Sequence, residues 1–479
     1  MSDIAYLSAI ELATAIRERR ISSREALTEL LTRVDRLNPP INAIVTRDDE
    51  RAFHEADIAD QAIARGDRLG PLHGVPMTVK DSLSTHGMRT TSGAPELSGH
   101  IPEADADAVT KVRAAGAVIY GKTNLPIYAG DLQSYNEVFG TTNNPWNVER
   151  TCCGSSGGSA AALAAGFTPI EIGSDIGGSI RSPSSTCGIM GHKPSYGIVS
   201  ARGQIPGPPG TLTQADIAVV GPMARTVDDL EMELDLLAGP DEWMAPGWKL
   251  DLAPPRRSNI KDYRIAAWLD DPANPIDSEV YGLLSNAVDA LQDAGVTVDR
   301  DARPAFNYDY ARGVFDQLIA AALCGSYSRD DIERMAEMAK EDPTLRGHAN
   351  TSQRHREWLT GNERRLQMRR KWHEFFKSWD AIVLPVLPTA AIPHDHSEPM
   401  AARKIQINGE TRPYGDQTAW VGITGISWLP ATVIPVGLTT EGLPVGIQIA
   451  GPFLEDRTTL DIARKLSAII GGCPKPPGY

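Results

Sequence analysis

The stretch from residue 140 to 215 constrains this chain more than any other. It is dense in Gly, Ser and Pro, yet it is interrupted by an Ala-rich helical run from Ala160 to Ala165 and by a strand-like Ile170 to Ile172. A flexible Gly/Ser linker does not carry such elements, so the stretch reads as part of a folded core. Cys153-Gly-Ser155-Ser-Gly-Gly-Ser leads into the helical run, and Gly173-Ser-Asp175-Ile-Gly-Gly-Ser179-Ile-Arg181 contains the strand's exit. Two consecutive glycines let successive N–H groups converge on one point, with no Cβ in the way, and such a cluster is an anion-binding nest. Acyl transfer needs a nucleophile, a base and donors aimed at the developing oxyanion. The backbone of Ile176, Gly177, Gly178 and Ser179 offers the donors, and the Ser179 hydroxyl lies at their end. A tight glycine turn before a helix accounts for the same residues without chemistry.

Other templates fit less well. No Gly-Lys-Ser/Thr follows the glycines, as a P-loop requires. Gly154-Ser-Ser156-Gly-Gly158 formally matches the G-x-S-x-G elbow with Ser156 as nucleophile, but beyond His192 no clear Asp-to-His pair follows. His394-Asp395-His396 is a compact trio in a proline-bordered loop, for which a solvated loop is the simpler reading than a metal site.

The net charge of −14 disfavours nucleic acid as the main partner, because phosphate binding rests on clustered Lys and Arg. Five cysteines at irregular spacing do not form a disulfide framework, which points to a reduced, cytoplasmic compartment. No apolar run approaches the roughly 20 residues of a membrane span, and the N-terminus has no secretory pattern.

Ser8-Ala-Ile-Glu11 and Ser22-Ser-Arg-Glu25 fit the capping box that opens a helix. Val75, Met77 and Val79 alternate with Pro76, Thr78 and Lys80 and predict a strand with Lys80 on the face away from the apolar core. Val109 to Ala115 predicts a helix and Val118 to Tyr120 a strand. Residues 240–260 read as a long connection. Ile265 to Trp268, a helix from Ser278 to Ala294, and Val296 to Val298 form a β-α-β-like unit, and residues 315–378 are helical in pattern. Strands return at Ile382 to Leu384, Thr432 to Val436 and Val445 to Ile449. Such alternation predicts an α/β fold, a central mixed twisted sheet with helices on both faces. The expected organisation is an N-terminal helical segment over 1–60, a core over 61–240, a variable helical and αβ insertion over 241–375, and C-terminal strands and a helix over 376–479 completing one domain.

"GSSGGSAAALAAG…GSDIGGSIRSPSSTCGIMGHKPSYG" resembles the signature of the amidase signature family, and "PLHGVPMTVKD", "GPMARTVDDL" and "GLPVGIQIAGPF" resemble its flanking blocks. The likeness runs from about residue 8 to 465 and is weakest over 240–375. It implies a catalytic trio of Lys80, Ser155 (a serine with a cis peptide bond) and nucleophilic Ser179. It departs at Cys153, where many members have glycine. Lys80 is the base only if neutral, and burial lowers a lysine's proton affinity; an ion pair with Asp81 is the competing reading. Asp175 and Arg181 are expected to hold the nest. The resemblance further implies that Tyr128, Ala129 and Gly130 line the acyl pocket and that no cofactor or metal is needed; the Gly/Pro run Gly203 to Gly210 reads either as a loop over the entrance or as a plain surface connection. The expected partner is a small-molecule amide or carbamate, without nucleic acid or membrane and with a homodimer as an option. Rival readings are the A subunit of a tRNA-dependent amidotransferase and an inactive binding homologue.

Overall fold

Two reciprocal caps open the first long helices in the computed structural model, which describes residues 4–205, 209–342 and 345–479. Ser8 Oγ accepts from the Glu11 N–H while the Glu11 carboxylate accepts from the Ser8 N–H, starting α1 (Ala9–Arg17). Ser22 and Glu25 do the same for α2 (Ser23–Leu37), as the sequence predicts. The stripe Leu27, Leu30, Leu31 and Val34 on α2 is buried, and α3 (Asp49–Arg65) packs beside it. Between them lies β1 (Ile44–Arg47), a strand too short to show any alternation in the sequence.

β1 is one edge of a small sheet. It pairs antiparallel with the central strand β3 (Val118–Thr123), which pairs parallel with β2 (Pro76–Lys80); α4 (Asp107–Ala114) lies in the β2–β3 crossover. All five residues of β2 are buried, so the face carrying Thr78 and Lys80 looks into a second, polar interior layer rather than towards solvent. α5 (Gly157–Ala164) fills that layer. A Cβ on Gly158 would lie 2.4 Å from the Asn124 nitrogen and 2.5 Å from its carbonyl oxygen, so a smaller-than-alanine residue is required where this helix meets the end of β3.

The main sheet has eight strands: β4 (Ile170–Asp175), β5 (Met190–Lys193), β6 (Val219–Ala224), β7 (Arg264–Ala267), β8 (Thr297–Asp299), β9 (Ala381–Pro385), β10 (Ala431–Leu438) and β11 (Pro444–Ala450). Their order is β8-β7-β9-β11-β10-β5-β6-β4. β7 runs parallel to both β8 and β9, and every other neighbouring pair is antiparallel, so the sheet is mixed. Val220 and Ala224 of β6 pack in one hydrophobic cluster with α7 (Val227–Leu237), α8 (Ser278–Asp293) and α14 (Asp456–Ile470). Met223, on the opposite face of β6, packs with α5 and α6 (Arg181–Cys187). Helices therefore cover both faces, as expected. The helical stretch after β8 resolves into α9 (Tyr308–Leu323), α10 (Arg329–Glu341), α11 (Arg346–Thr351) and α12 (His355–Phe375), and α13 (Ala419–Ile426) packs against α9. β5 and β6 had no readable pattern in the sequence. Both are buried on two faces, and β6 carries Gly221 and Pro222 inside the strand.

Candidate active site

Lys80 is the last residue of β2, and Ser174 and Asp175 are the last two of β4. The loops that start α5 and α6 bring Ser155, Ser156 and Ser179 to the same point. Lys80 is fully buried, and its Nζ donates to Ser155 Oγ (2.7 Å), Ser156 Oγ (2.9 Å) and Ser174 Oγ (3.0 Å). These three acceptors match the three N–H donors of an ammonium. Burial pushes its proton affinity down, Asp175 and Glu171 counter this, and the pKa comes to about 7. The ion pair with Asp81 does not form. Neighbouring side chains at a strand end diverge, and the Asp81 carboxylate accepts instead from Thr91.

The Gly154–Ser155 peptide is cis, and the Ser156 N–H donates to the Ser179 carbonyl at 3.1 Å, joining the two serine loops. The 131–134 segment lies against this turn. A Cβ on Gly154 would meet Asp131 O at 2.7 Å, and Ser134 Oγ donates to Cys153 O at 2.9 Å while accepting from the Gly157 N–H at 3.1 Å. Ser134 and Ser174 were not signalled by the sequence. Their role depends on which loops the fold brings together, and a lone serine carries no local mark of that.

Asp175 organises the nest. Its carboxylate accepts from the N–H groups of Gly178 (2.9 Å), Ile180 (3.2 Å) and Arg181 (3.4 Å) and pairs with the buried Arg181 guanidinium at 2.9 Å. Burial pushes the Asp175 carboxyl up, but Arg181, Lys193 and the Gly178 N–H outweigh it and hold the pKa at about 2. Arg181 in turn donates to Val421 O, Thr424 Oγ1 and Gln448 Oε1, tying the nest to α13 and β11. Of the four expected oxyanion donors, Gly178 has its N–H engaged by Asp175, and Ile176 and Ser179 line the cavity above the nest. Gly178 has φ +107°, and a Cβ there would lie 2.7 Å from both Ser182 Oγ and Val421 Cγ2.

Ser155, Ser174, Asp175, Ile176 and Ser179 form the floor of a cavity of about 690 Å3. Its walls are Tyr128 and Ala129 on one side, residues of the 201–204 and 209–218 segments on another, and the C-terminal end of α9 on a third. Tyr128 and Ala129 have φ of +50° and +57°, and the Tyr128 hydroxyl donates to Glu96 at the cavity wall. Gly130, also expected in the pocket, is exposed and is not part of the lining; its N–H closes the turn by donating to Ile127 O. Of the loop expected over the entrance, Gln204 and Pro209 line the cavity, whereas 206–208 lie outside the described residues. Among the described lining residues, Glu96 and Asp175 are the only charged side chains, and no Lys or Arg is present.

The elbow reading fails on geometry. Ser156 Oγ is fully buried between Lys80 and the Ser174 carbonyl, and His192 is bonded to Thr432 and Asp456. In the 394–396 loop, His396 stacks on Tyr135 with ring centroids 3.8 Å apart, and the Asp395 carboxylate accepts from Ser397. No helix among the described residues is long and apolar enough to cross a membrane.

The family model for Amidase matches residues 25–460. The A subunit of the glutamyl-tRNA(Gln) amidotransferase of Acidothermus cellulolyticus is 33% identical, with 98% of this chain and 95% of that protein covered. Among solved structures, 6-aminohexanoate cyclic dimer hydrolase complexed with substrate has a TM-score of 0.79 at 27% identity, covering 99% of each chain. An inhibitor-bound chain from a vestigial protein complex, described for the origins of an s-triazine catabolic enzyme, has a TM-score of 0.81 at 25% identity, covering 98% of this chain and 100% of that one.

Proposed function

The chain belongs to the amidase family of hydrolases, and from that premise we propose that it cleaves a neutral amide or carbamate through an acyl-enzyme on Ser179, with Ser155 and Lys80 as proton relay. The observation that carries this reading is the buried Lys80 Nζ bonded to Ser155 Oγ beside the nest that ends in Ser179. A serine hydroxyl is a weak nucleophile without a base. With a pKa of about 7, Lys80 is substantially neutral near neutral pH. Its lone pair then accepts the Ser155 proton while Ser155 accepts the proton of Ser179 as Ser179 attacks the carbonyl. Negative charge develops on the carbonyl oxygen, where backbone N–H groups of the 176–179 nest are to stabilise it. The proton returns through Ser155 to the leaving nitrogen, and water releases the acyl group by the reverse path. Asp175 and Arg181 act by holding the nest.

A lining without Lys or Arg supports a neutral substrate of moderate size, with the acyl group against Tyr128 and Ala129. A second reading, glutaminase activity within an amidotransferase assembly that handles tRNA, is favoured by the full-length similarity to amidotransferase A subunits. Against it, free glutamine presents a carboxylate, and a buried anion is recognised by a paired cation, which the described lining lacks. Residues 206–208 are Pro-Gly-Pro and add no charge. The test is labelling by a fluorophosphonate with mapping of the modified peptide, together with rates on a neutral aryl amide, an aryl carbamate and glutamine. Labelling at Ser179 with turnover of the neutral substrates is the expected result. Ammonia release from glutamine that exceeds both would overturn the substrate assignment, and a label on any other serine would overturn the mechanism.

A further inference from the structure

The residue after Lys80 faces a different set of partners. The Asp81 N–H continues the ladder by donating to Thr123 O at 3.0 Å, and its side chain leaves the strand away from the serine layer. Asp81 Oδ2 accepts from the Thr91 N–H (3.0 Å) and the Thr91 hydroxyl (2.6 Å), and its carbonyl accepts from the Ser92 N–H (2.9 Å). Ser92 is thereby held at φ +51°, in the left-handed region that a non-glycine residue seldom enters. From there it reaches both sides of the cavity. Its carbonyl accepts from the Tyr128 N–H at 2.8 Å, and its hydroxyl donates to Ile205 O at 3.3 Å. Ile205 is bound back to the same strand exit, its N–H donating to Ser82 O at 2.7 Å.

We propose that Asp81 is a positioning residue for substrate selection: through the 91–93 turn it fixes Tyr128 and the 204–205 segment around the acyl group, while its neighbour Lys80 serves the proton relay. One strand end then sets both the base and the shape of the pocket. The proposal rests on Ser179 being the nucleophile of this cavity. Asp81 itself is fully buried and is not among the residues lining the cavity, so it acts on the pocket through its neighbours, of which the 91–93 turn is hydrogen-bonded to it.

The test compares two fluorophosphonates that differ only in their chain, methyl and 4-phenylbutyl, by their second-order rates of labelling Ser179. The parent protein is expected to favour the phenylbutyl probe. Asp81→Ala is expected to lower the phenylbutyl-to-methyl ratio about tenfold, the scale of one or two lost hydrogen bonds. Asp81→Asn, whose amide oxygen still accepts from Thr91, is expected to restore most of the ratio. If Asp81→Ala does not fold, Thr91→Val removes the 2.6 Å bond at nearly constant volume, and the same fall in ratio is expected. A parent ratio near one, an equal fall with both probes, or an unchanged ratio in a folded variant overturns the proposal. Failure of the parent to label at Ser179 overturns the catalytic reading instead.

Discussion

At the scale of residues, the site turns on one lysine whose charge burial makes costly. A base must be unprotonated to act. Burial brings the Lys80 pKa down from the ordinary lysine value to about 7, so the residue loses its proton as pH rises through about 7. The value of kcat/KM is therefore expected to rise through that range and to level off above it. A pH–rate profile that rises only near pH 10, about where an unperturbed lysine titrates, would sink the assignment. Lys80→Arg keeps a cation in place but cannot give up its proton, and the expected loss is about 10²–10⁴-fold in kcat. Ser179→Ala is expected to abolish turnover and fluorophosphonate labelling together, measured on protein whose folding is checked by thermal melting. Retention of most activity in either variant contradicts the relay. Ser179 was legible in the sequence because its supporting glycines are its own neighbours. Ser174 was not, because its hydroxyl matters only through Lys80, which lies 94 positions away in the chain.

At the scale of elements, the nest depends on a carboxylate that replaces missing partners. Asp175 takes three backbone N–H groups from the turn and a guanidinium from α6, all in a buried setting. Breaking a buried pair leaves an uncompensated charge, at a cost of about 3–5 kcal/mol. Arg181→Met is therefore expected to lower stability by that order in chemical denaturation and to slow Ser179 labelling. The folded pKa of Asp175 lies near 2, below the ordinary aspartate value. A carboxyl lowered in this way contributes stability that is fully present above its unfolded value of about 4 and is lost as pH falls through about 2. Gly178→Ala forces a Cβ against Val421 at a φ that L-residues avoid, and it is expected to cost both stability and activity. Gly177→Ala would meet the Ile319 Cδ1 tip at 3.1 Å, a side chain that can turn aside. A Gly178→Ala enzyme as stable and active as Gly177→Ala would refute the asymmetry. The capping boxes of α1 and α2 and the alternation of β2 were readable because each is local. The strand order was not: β6 and β7 follow one another in the chain, yet β9, β11, β10 and β5 stand between them in the sheet. Nor was the Asp175–Gly178 bond, which joins a strand end to the turn that follows it.

At the scale of the whole molecule, charge should decide among substrates by two routes of different range. The chain carries a net −14, a field that repels anions at a distance and is screened beyond roughly 8–10 Å at physiological salt. Inside the cavity, Arg181 neutralises Asp175, and Glu96, on the exposed edge beside Tyr128, is the one charge left without a cation among the described lining residues. A substrate carboxylate carried to the buried floor would be desolvated with no cation among the described lining residues, which is costly at any ionic strength. Consider two acyl anilides of equal length, one ending in a methyl group and one in a carboxylate. The neutral compound is expected to have a kcat/KM at least about tenfold higher, a difference of about 1.4 kcal/mol in transition-state stabilisation. Raising the salt to about 1 M should remove the long-range part and leave most of the gap, because the local part is not screened. Two outcomes would contradict this. If salt closes the gap entirely, the discrimination belongs to the surface and the cavity does not select for neutrality. If the carboxylate compound is the better substrate, a cationic group must enter the cavity on binding, and glutamine recognition returns as the stronger reading of the full-length similarity to amidotransferase A subunits.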